Sequence, residues 1–191
     1  MMCVQAGIDV LVEKPFTTTS KDGAELLIAA EARGAIVMTG HTFEYNPALW
    51  RLKEVVNDPC FGQIRYIDSA RLNLGLYQPD VNVIGDLAPH DISILNYVLD
   101  ARPSSVSNWG MNLISDQADV AYLHPRCDEI DVDACIGVSW IDPMKVRRTT
   151  VVGSNSMAVC DDMATDERVR VYGKGVDRPS APADDALPPL T

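Results

Sequence analysis

The sequence predicts an α/β unit followed by an α+β one: the C-terminal part of a doubly wound domain, then a largely antiparallel sheet domain with a packed helix. Three observations carry this. Two short Val- and Ile-rich runs, residues 9–13 and 35–40, flank a single amphipathic helical stretch, the strand, helix, strand order of a parallel βαβ unit. From residue 63 the texture changes to strand-like segments punctuated by turn residues. Helical periodicity then returns once, at residues 90–99, where Ile92, Leu95 and Leu99 recur at helical spacing and supply one helix to cover that sheet. The expected organisation is residues 1–62 as the end of a doubly wound domain, 63–173 as a sheet-rich domain, and 174–191 as a mobile tail. With 191 residues the chain is long enough to bury a real core.

Taken in order, residues 1–6 read as the last turn of a helix with Gly7 as its C-terminal stop. Residues 9–13 (DVLVE) read as a strand buried on both faces. Residues 20–33 form the crossover helix, with a Thr/Ser capping region before it and Gly34 after it, and residues 35–40 form the second buried-type strand. Asn46 followed by Pro47 is an N-cap with proline at the first helical position; Leu49, Leu52, Val55 and Val56 give that helix one apolar face, and it ends near Asp58 and Pro59. Strands are expected at 64–72, 104–112, 133–141, 145–152 and 168–172, with Asp142-Pro143 as a hairpin between two of them. The final stretch holds four of the 12 prolines and almost no apolar periodicity, which predicts mobility.

Composition narrows the function. The 27 acidic against 16 basic residues leave a net charge of −11, the wrong sign for a nucleic-acid partner. The dense basic spot, Lys145, Arg147 and Arg148, lies in a strand-like run and reads as a solvated sheet face. No apolar run approaches the roughly 18 residues a membrane helix requires, and residues 1–9 lack the features of a secretory signal. Five scattered cysteines without a C-x-x-C pair disfavour a disulfide framework, so a reduced, cytoplasmic protein is expected. The run from His124 through Cys127, Asp128, Glu129, Asp131 and Asp133 to Cys135 matches no standard zinc or calcium spacing, and no metal site is expected.

Three blocks carry possible chemistry. Glu13-Lys14-Pro15 stands at the C-terminal edge of the first strand, where a lysine in a partly dry cleft stabilises a developing alkoxide; read alone, a strand-end lysine is also an ordinary surface charge. Asp86 and His90 lie four residues apart at the entrance to the helix of the second half. That spacing can turn both toward one cleft, histidine being suited to proton transfer and the carboxylate to orienting it or holding a hydroxyl. The plain alternative is that Asp86 or Asp91 caps the helix and His90 packs. The third block, residues 40–47 (GHTFEYNP), brings polar and aromatic groups to the same sheet edge as Lys14; Tyr45 and Asn46 are its candidates for a cleft wall, or else a staple residue and an N-cap.

The order of these blocks resembles the Gfo/Idh/MocA oxidoreductase family, over about residues 6–172. The resemblance implies NAD or NADP as cofactor and a Rossmann fold for the first part, with Glu13, Lys14 and Pro15 as the E-K-P motif beside the nicotinamide. It implies that Asp86 and His90, as the D-x-x-x-H motif, are the substrate-binding aspartate and the acid/base histidine, and that Asn73 contacts substrate together with Tyr45 and Asn46. The wording GHTF, RLNLG and DLAPHDISIL looks closest to members acting on nucleotide-linked sugars, whereas inositol-specific members carry basic residues where this chain has Phe43-Glu44. A homo-oligomer through the open sheet face is implied as well. The chain departs from the family pattern in having no G-x-G-x-x-G turn after a first strand: Gly173-Lys174-Gly175 runs into a Pro-rich stretch and not into a helix. The expectation is therefore an NAD(P)-dependent sugar dehydrogenase lacking the N-terminal half of its cofactor domain, with exposed apolar surface beside the first strands. The alternative is a noncatalytic sugar-binding or oligomerisation module derived from that family.

Overall fold

The computed structural model describes residues 1–75, 78, 80–114 and 116–177. Helix α1 (Met2–Gln5) stops at Gly7, whose φ of 72° is the left-handed conformation glycine adopts without strain. Strand β1 (Val10–Val12), helix α2 (Ser20–Arg33) and strand β2 (Val37–Thr39) follow, and β1 pairs parallel to β2 with Val10 opposite Val37. The ends of α2 are where the sequence places them. Thr19 accepts a hydrogen bond from the Asp22 amide at 3.1 Å, and Gly34 closes the helix at φ 64°. Val4, Leu26 and Ala30 form the small core of this layer.

Burial of these two strands on both faces is not observed. Leu11, Ile36 and Met38 are 70, 67 and 43% exposed. The two strands form a sheet by themselves, with α1 and α2 packed on one side only, so a Val-rich run that reads as doubly buried keeps an open apolar face.

A seven-stranded sheet forms the larger layer, in the order β4-β5-β6-β3-β7-β8-β9. Its strands are β3 (Ile64–Leu74), β4 (Ser105–Met111), β5 (Val120–Cys127), β6 (Val132–Ser139), β7 (Ile141–Gly153), β8 (Met157–Asp161) and β9 (Val169–Tyr172). Every neighbouring pair is antiparallel except β3 and β6, which run parallel. Two strands, β5 and β8, lie outside the sequence expectation. Pro125 inside β5 argues locally against a strand; it is accommodated because the β5–β6 register passes from Leu123 opposite Ile136 to Arg126 opposite Asp133 without it. The Asp142-Pro143 hairpin is also overturned, since β6 and β7 never pair and β3 lies between them. Asp142 and Pro143 instead sit in an irregular stretch of β7, where the register with β3 jumps from Leu72 opposite Val146 to Leu74 opposite Ile141.

Helices α3 (Pro47–Asn57) and α4 (Val83–Leu99) cover one face of this sheet. Leu49, Leu52 and Val56 of α3 and Ile94, Leu95 and Val98 of α4 meet Ile67, Val151 and Ala158 from the strands. The first half of α4 packs Val83 and Ala88 on Ala121, Ile136, Val138 and Trp140. This helix starts about two turns before the expected residue 90, because Asn82, and neither Asp86 nor Asp91, caps it by accepting from the Gly85 amide at 2.9 Å. Pro89 lies within it. The opposite face of the sheet carries Tyr66, Trp109 and Tyr122, all exposed. Of residues 174–191, expected to be mobile, 178–191 lie outside the described residues; Val176 donates to the Gly153 carbonyl at 3.0 Å. No helix of the described residues is long and apolar enough to cross a membrane.

Candidate active site

Chain direction brings the two layers together at one place. The residues that follow β1 and β2, Lys14 on one side and Thr42 and Phe43 on the other, line a cleft of about 350 Å3 whose far wall comes from α4, β3 and β7. The space outside the carboxyl ends of parallel strands is where such sheets take ligands.

Lys14, joined to Pro15 by a cis bond, reaches across to α4. Its ammonium donates to the Asp86 carbonyl at 2.7 Å and pairs with Asp86 Oδ1 at 2.5 Å, with both side chains about four-fifths buried. Asp86 Oδ2 accepts from Trp140 Nε1 at 3.0 Å. A carboxylate in the first turn of a helix is also favoured by the amide dipoles there. Both Asp86 oxygens are therefore engaged, and what the carboxylate orients is Lys14, not His90.

His90 follows one turn later on the same face. Its Nδ1 is buried with no hydrogen-bond partner, and its ring meets Phe43 edge-on with centroids 5.2 Å apart. Burial, then the positive charges of Arg71, Lys14 and Arg147, push its pKa from the ordinary 6.5 down to about 4. The imidazole is therefore neutral at pH 7. Below it lies a buried ion pair: Arg71 Nε donates to Asp91 Oδ2 at 2.6 Å, Ser69 donates to Asp91 Oδ1 at 2.7 Å, and the Arg71 guanidinium sits 4.3 Å above the Phe43 ring. Asp91 is thus spent on fixing Arg71 and does not cap the helix.

Lys14, His90 and Asn73 share the cleft, and Asp86 joins them through Lys14. Tyr45 and Asn46 do not. Tyr45 is 59% exposed, and Asn46 is consumed by accepting from the Ala48 amide at 2.9 Å and donating to Asp162 at 3.0 Å, so the capping role prevails there. Glu13 is exposed, and Pro15 turns into a broader groove with Phe16, His41 and Asn96. The basic run is also corrected. Lys145 and Arg147 line the cleft, and Arg148 is exposed on the other face. Arg71, Lys145 and Arg147 were the cleft residues sequence reasoning missed; the period-2 spacing of 145 and 147 was their only local signal. The acidic run considered for metal binding converges on Arg126, which pairs with Asp128, Asp131 and Asp133.

Known proteins share this fold. Residues 1–41 match the family model described as "Oxidoreductase family, NAD-binding Rossmann fold". UDP-N-acetylglucosamine 3-dehydrogenase of Acidithiobacillus ferrooxidans is 32% identical over 123 residues, which is 63% of this chain and 37% of that protein. A solved structure of that enzyme superposes on 90% of this chain and 55% of its own, with a TM-score of 0.76 at 26% identity. The chain is thus similar to Gfo/Idh/MocA oxidoreductases, with the family model matched over residues 1–41. A second protein, scyllo-inositol 2-dehydrogenase (NADP(+)) of Bacillus subtilis, is 28% identical over 168 residues, covering 82% of this chain and 46% of that protein. The chain thus spans less than half the length of both curated relatives.

Proposed function

We propose that the cleft serves NAD(P)-dependent oxidoreduction at a hydroxyl-bearing carbon of a sugar, with a nucleotide-linked sugar as the substrate. The observation that carries this reading is the meeting of Lys14, Asp86 and His90 across the two layers, in a cleft at the carboxyl ends of parallel strands. We assign residues 1–62 to the cofactor-facing part and 63–173 to the substrate-facing part. The name of the Acidithiobacillus relative supports the nucleotide-sugar class.

The residues present suit one end of a nicotinamide dinucleotide. Lys14, with its neighbours Glu13 and Pro15, stands where the nicotinamide would lie, and the described residues include no Gly-rich strand-to-helix turn to cradle phosphates. Bound there, the nicotinamide supplies a hydride acceptor or donor. His90, neutral at pH 7, accepts the proton of the sugar hydroxyl. Lys14 places its ammonium against the developing alkoxide, and Asp86 holds that ammonium in position. Asn73 orients a second sugar hydroxyl from the opposite wall.

Calorimetric titration of the folded chain with NADH is the test. Saturable heat that Lys14→Met weakens supports the reading, and no heat from a folded sample counts against it. A second reading, a noncatalytic sugar-binding or oligomerisation module, draws on the exposed Tyr66, Trp109 and Tyr122 of the open sheet face. It predicts a stable homo-oligomer whose sugar binding is indifferent to NADH.

A further inference from the structure

We propose that Lys145 and Arg147 form an anion-binding wall of the cleft, so that the sugar entering it carries a carboxylate or phosphoryl group opposite His90. The inference rests on the sugar reading above and names the substrate's charge. It begins with strand register. The antiparallel pairing of β3 and β7 sets Arg71 directly opposite Arg147 on the face toward α4. Like charges facing each other across a strand pair are destabilising, and a placement that violates a local rule without internal compensation marks a functional position.

Compensation is complete for Arg71 and incomplete for its neighbours. Asp91 neutralises Arg71 in a buried pair. Among the described residues Arg147 pairs with Asp162 alone, at 3.6 Å, and that carboxylate is shared with Arg168 at 3.4 Å and the Asn46 amide at 3.0 Å. Lys145, which the irregular stretch of β7 carries to the cleft, has no hydrogen-bond or ion-pair partner among the described residues. Among the described residues the cleft lining contains four cationic side chains, Lys14, Arg71, Lys145 and Arg147, and no carboxylate. Asp86 and Asp91 stand behind it with all their oxygens committed. A chain of net charge −11 thus presents a locally positive concavity, which concentrates anions. The pKa of His90 is lowered first by its burial, and the charges of Arg71, Lys14 and Arg147 lower it further. At about 350 Å3 the space suits a single sugar with one charged substituent.

The experiment compares glucose, glucuronate, glucose 6-phosphate and inorganic phosphate as ligands of the whole chain, by saturation-transfer NMR and calorimetry. The anionic sugars are expected to bind about tenfold more tightly than glucose, with the advantage fading between about 50 and 500 mM NaCl. In Lys145→Met/Arg147→Met that advantage falls below about threefold. Lys145→Met alone, at an exposed position that leaves folding intact, loses part of it. Relative affinities of glucuronate and glucose 6-phosphate separate carboxylate from phosphoryl recognition. Equal binding of all three sugars, or a preference that survives both variants, overturns the anion wall while leaving the sugar reading standing. Variant-sensitive binding of inorganic phosphate with no sugar binding upholds the wall and overturns the sugar reading. Binding of none of the four overturns the wall.

Discussion

The two layers of this protein are built from sequence of similar apolar character and differ in what covers it. In the β1–β2 layer Leu11 is 70% exposed and the core is Val4, Leu26 and Ala30. In the β3–β7 layer Ile67 and Val151 are buried, with two helices packed over them. Apolar content therefore sets what a strand is able to bury, and the neighbouring layer sets what it does bury. The difference extends to chemistry: the thinly covered layer contributes Lys14, whereas the well-packed layer holds Asp86, His90 and the Arg71–Asp91 pair that positions the wall behind them. Rigid support stands on the side where His90, the proposed proton acceptor, lies.

The sharpest way to break the comparison is Asp91→Asn. Leaving Arg71 buried and unpaired is expected to lower stability by about 3–5 kcal/mol, read from denaturant unfolding; a change near zero would mean that the packed layer does not depend on that pair. Next, Leu52→Ala, at a fully buried position of α3, should cost about 3 kcal/mol, and Leu26→Ala in the small layer about 2 kcal/mol or less. Equal costs would show the two cores to be equivalent. Native-state hydrogen exchange locates the same contrast without mutation: amides of β1 and β2 should exchange well before those of β3 and β7.

His90 sharpens the comparison through pH. Its folded pKa of about 4 lies below the ordinary 6.5, so the folded state favours the neutral ring. Its contribution to stability is complete above pH 6.5 and is lost as pH falls toward 4, where the unfolded chain binds the proton first. His90→Phe should flatten that segment of the stability curve, and an unchanged curve would contradict the burial that lowers the pKa. The smallest effect belongs to the open face of β1. Leu11→Lys is expected to shift stability by no more than about 0.5 kcal/mol, while reducing the binding of a dye that reports exposed apolar surface.

Much of this was legible in the residues because it is local. Thr19 and Gly34 bound α2, and Asn46 with Pro47 opens α3, through hydrogen bonds that span three or four positions. Lys14, Asp86 and His90 were legible as short motifs, whose order resembles a known family; that Lys14 meets Asp86 across 72 positions was not local. The start of α4 was missed because Asn82 caps a first turn whose burial against Trp140 and Ala121 is a tertiary fact. Tyr45 and Asn46 were placed in the cleft by proximity to its block, and a capping bond took Asn46 elsewhere.

The sequence by itself determined the local caps that start and stop helices, and it marked Lys14, Asp86 and His90 as candidates for the site. Tertiary structure alone decided that β3 lies between β6 and β7, that Arg71 faces Arg147, and that Lys145 joins Lys14 across one cleft. Strand pairing links residues some 70 positions apart, and no local period encodes which strands become neighbours; only the burial of the shared core selects them.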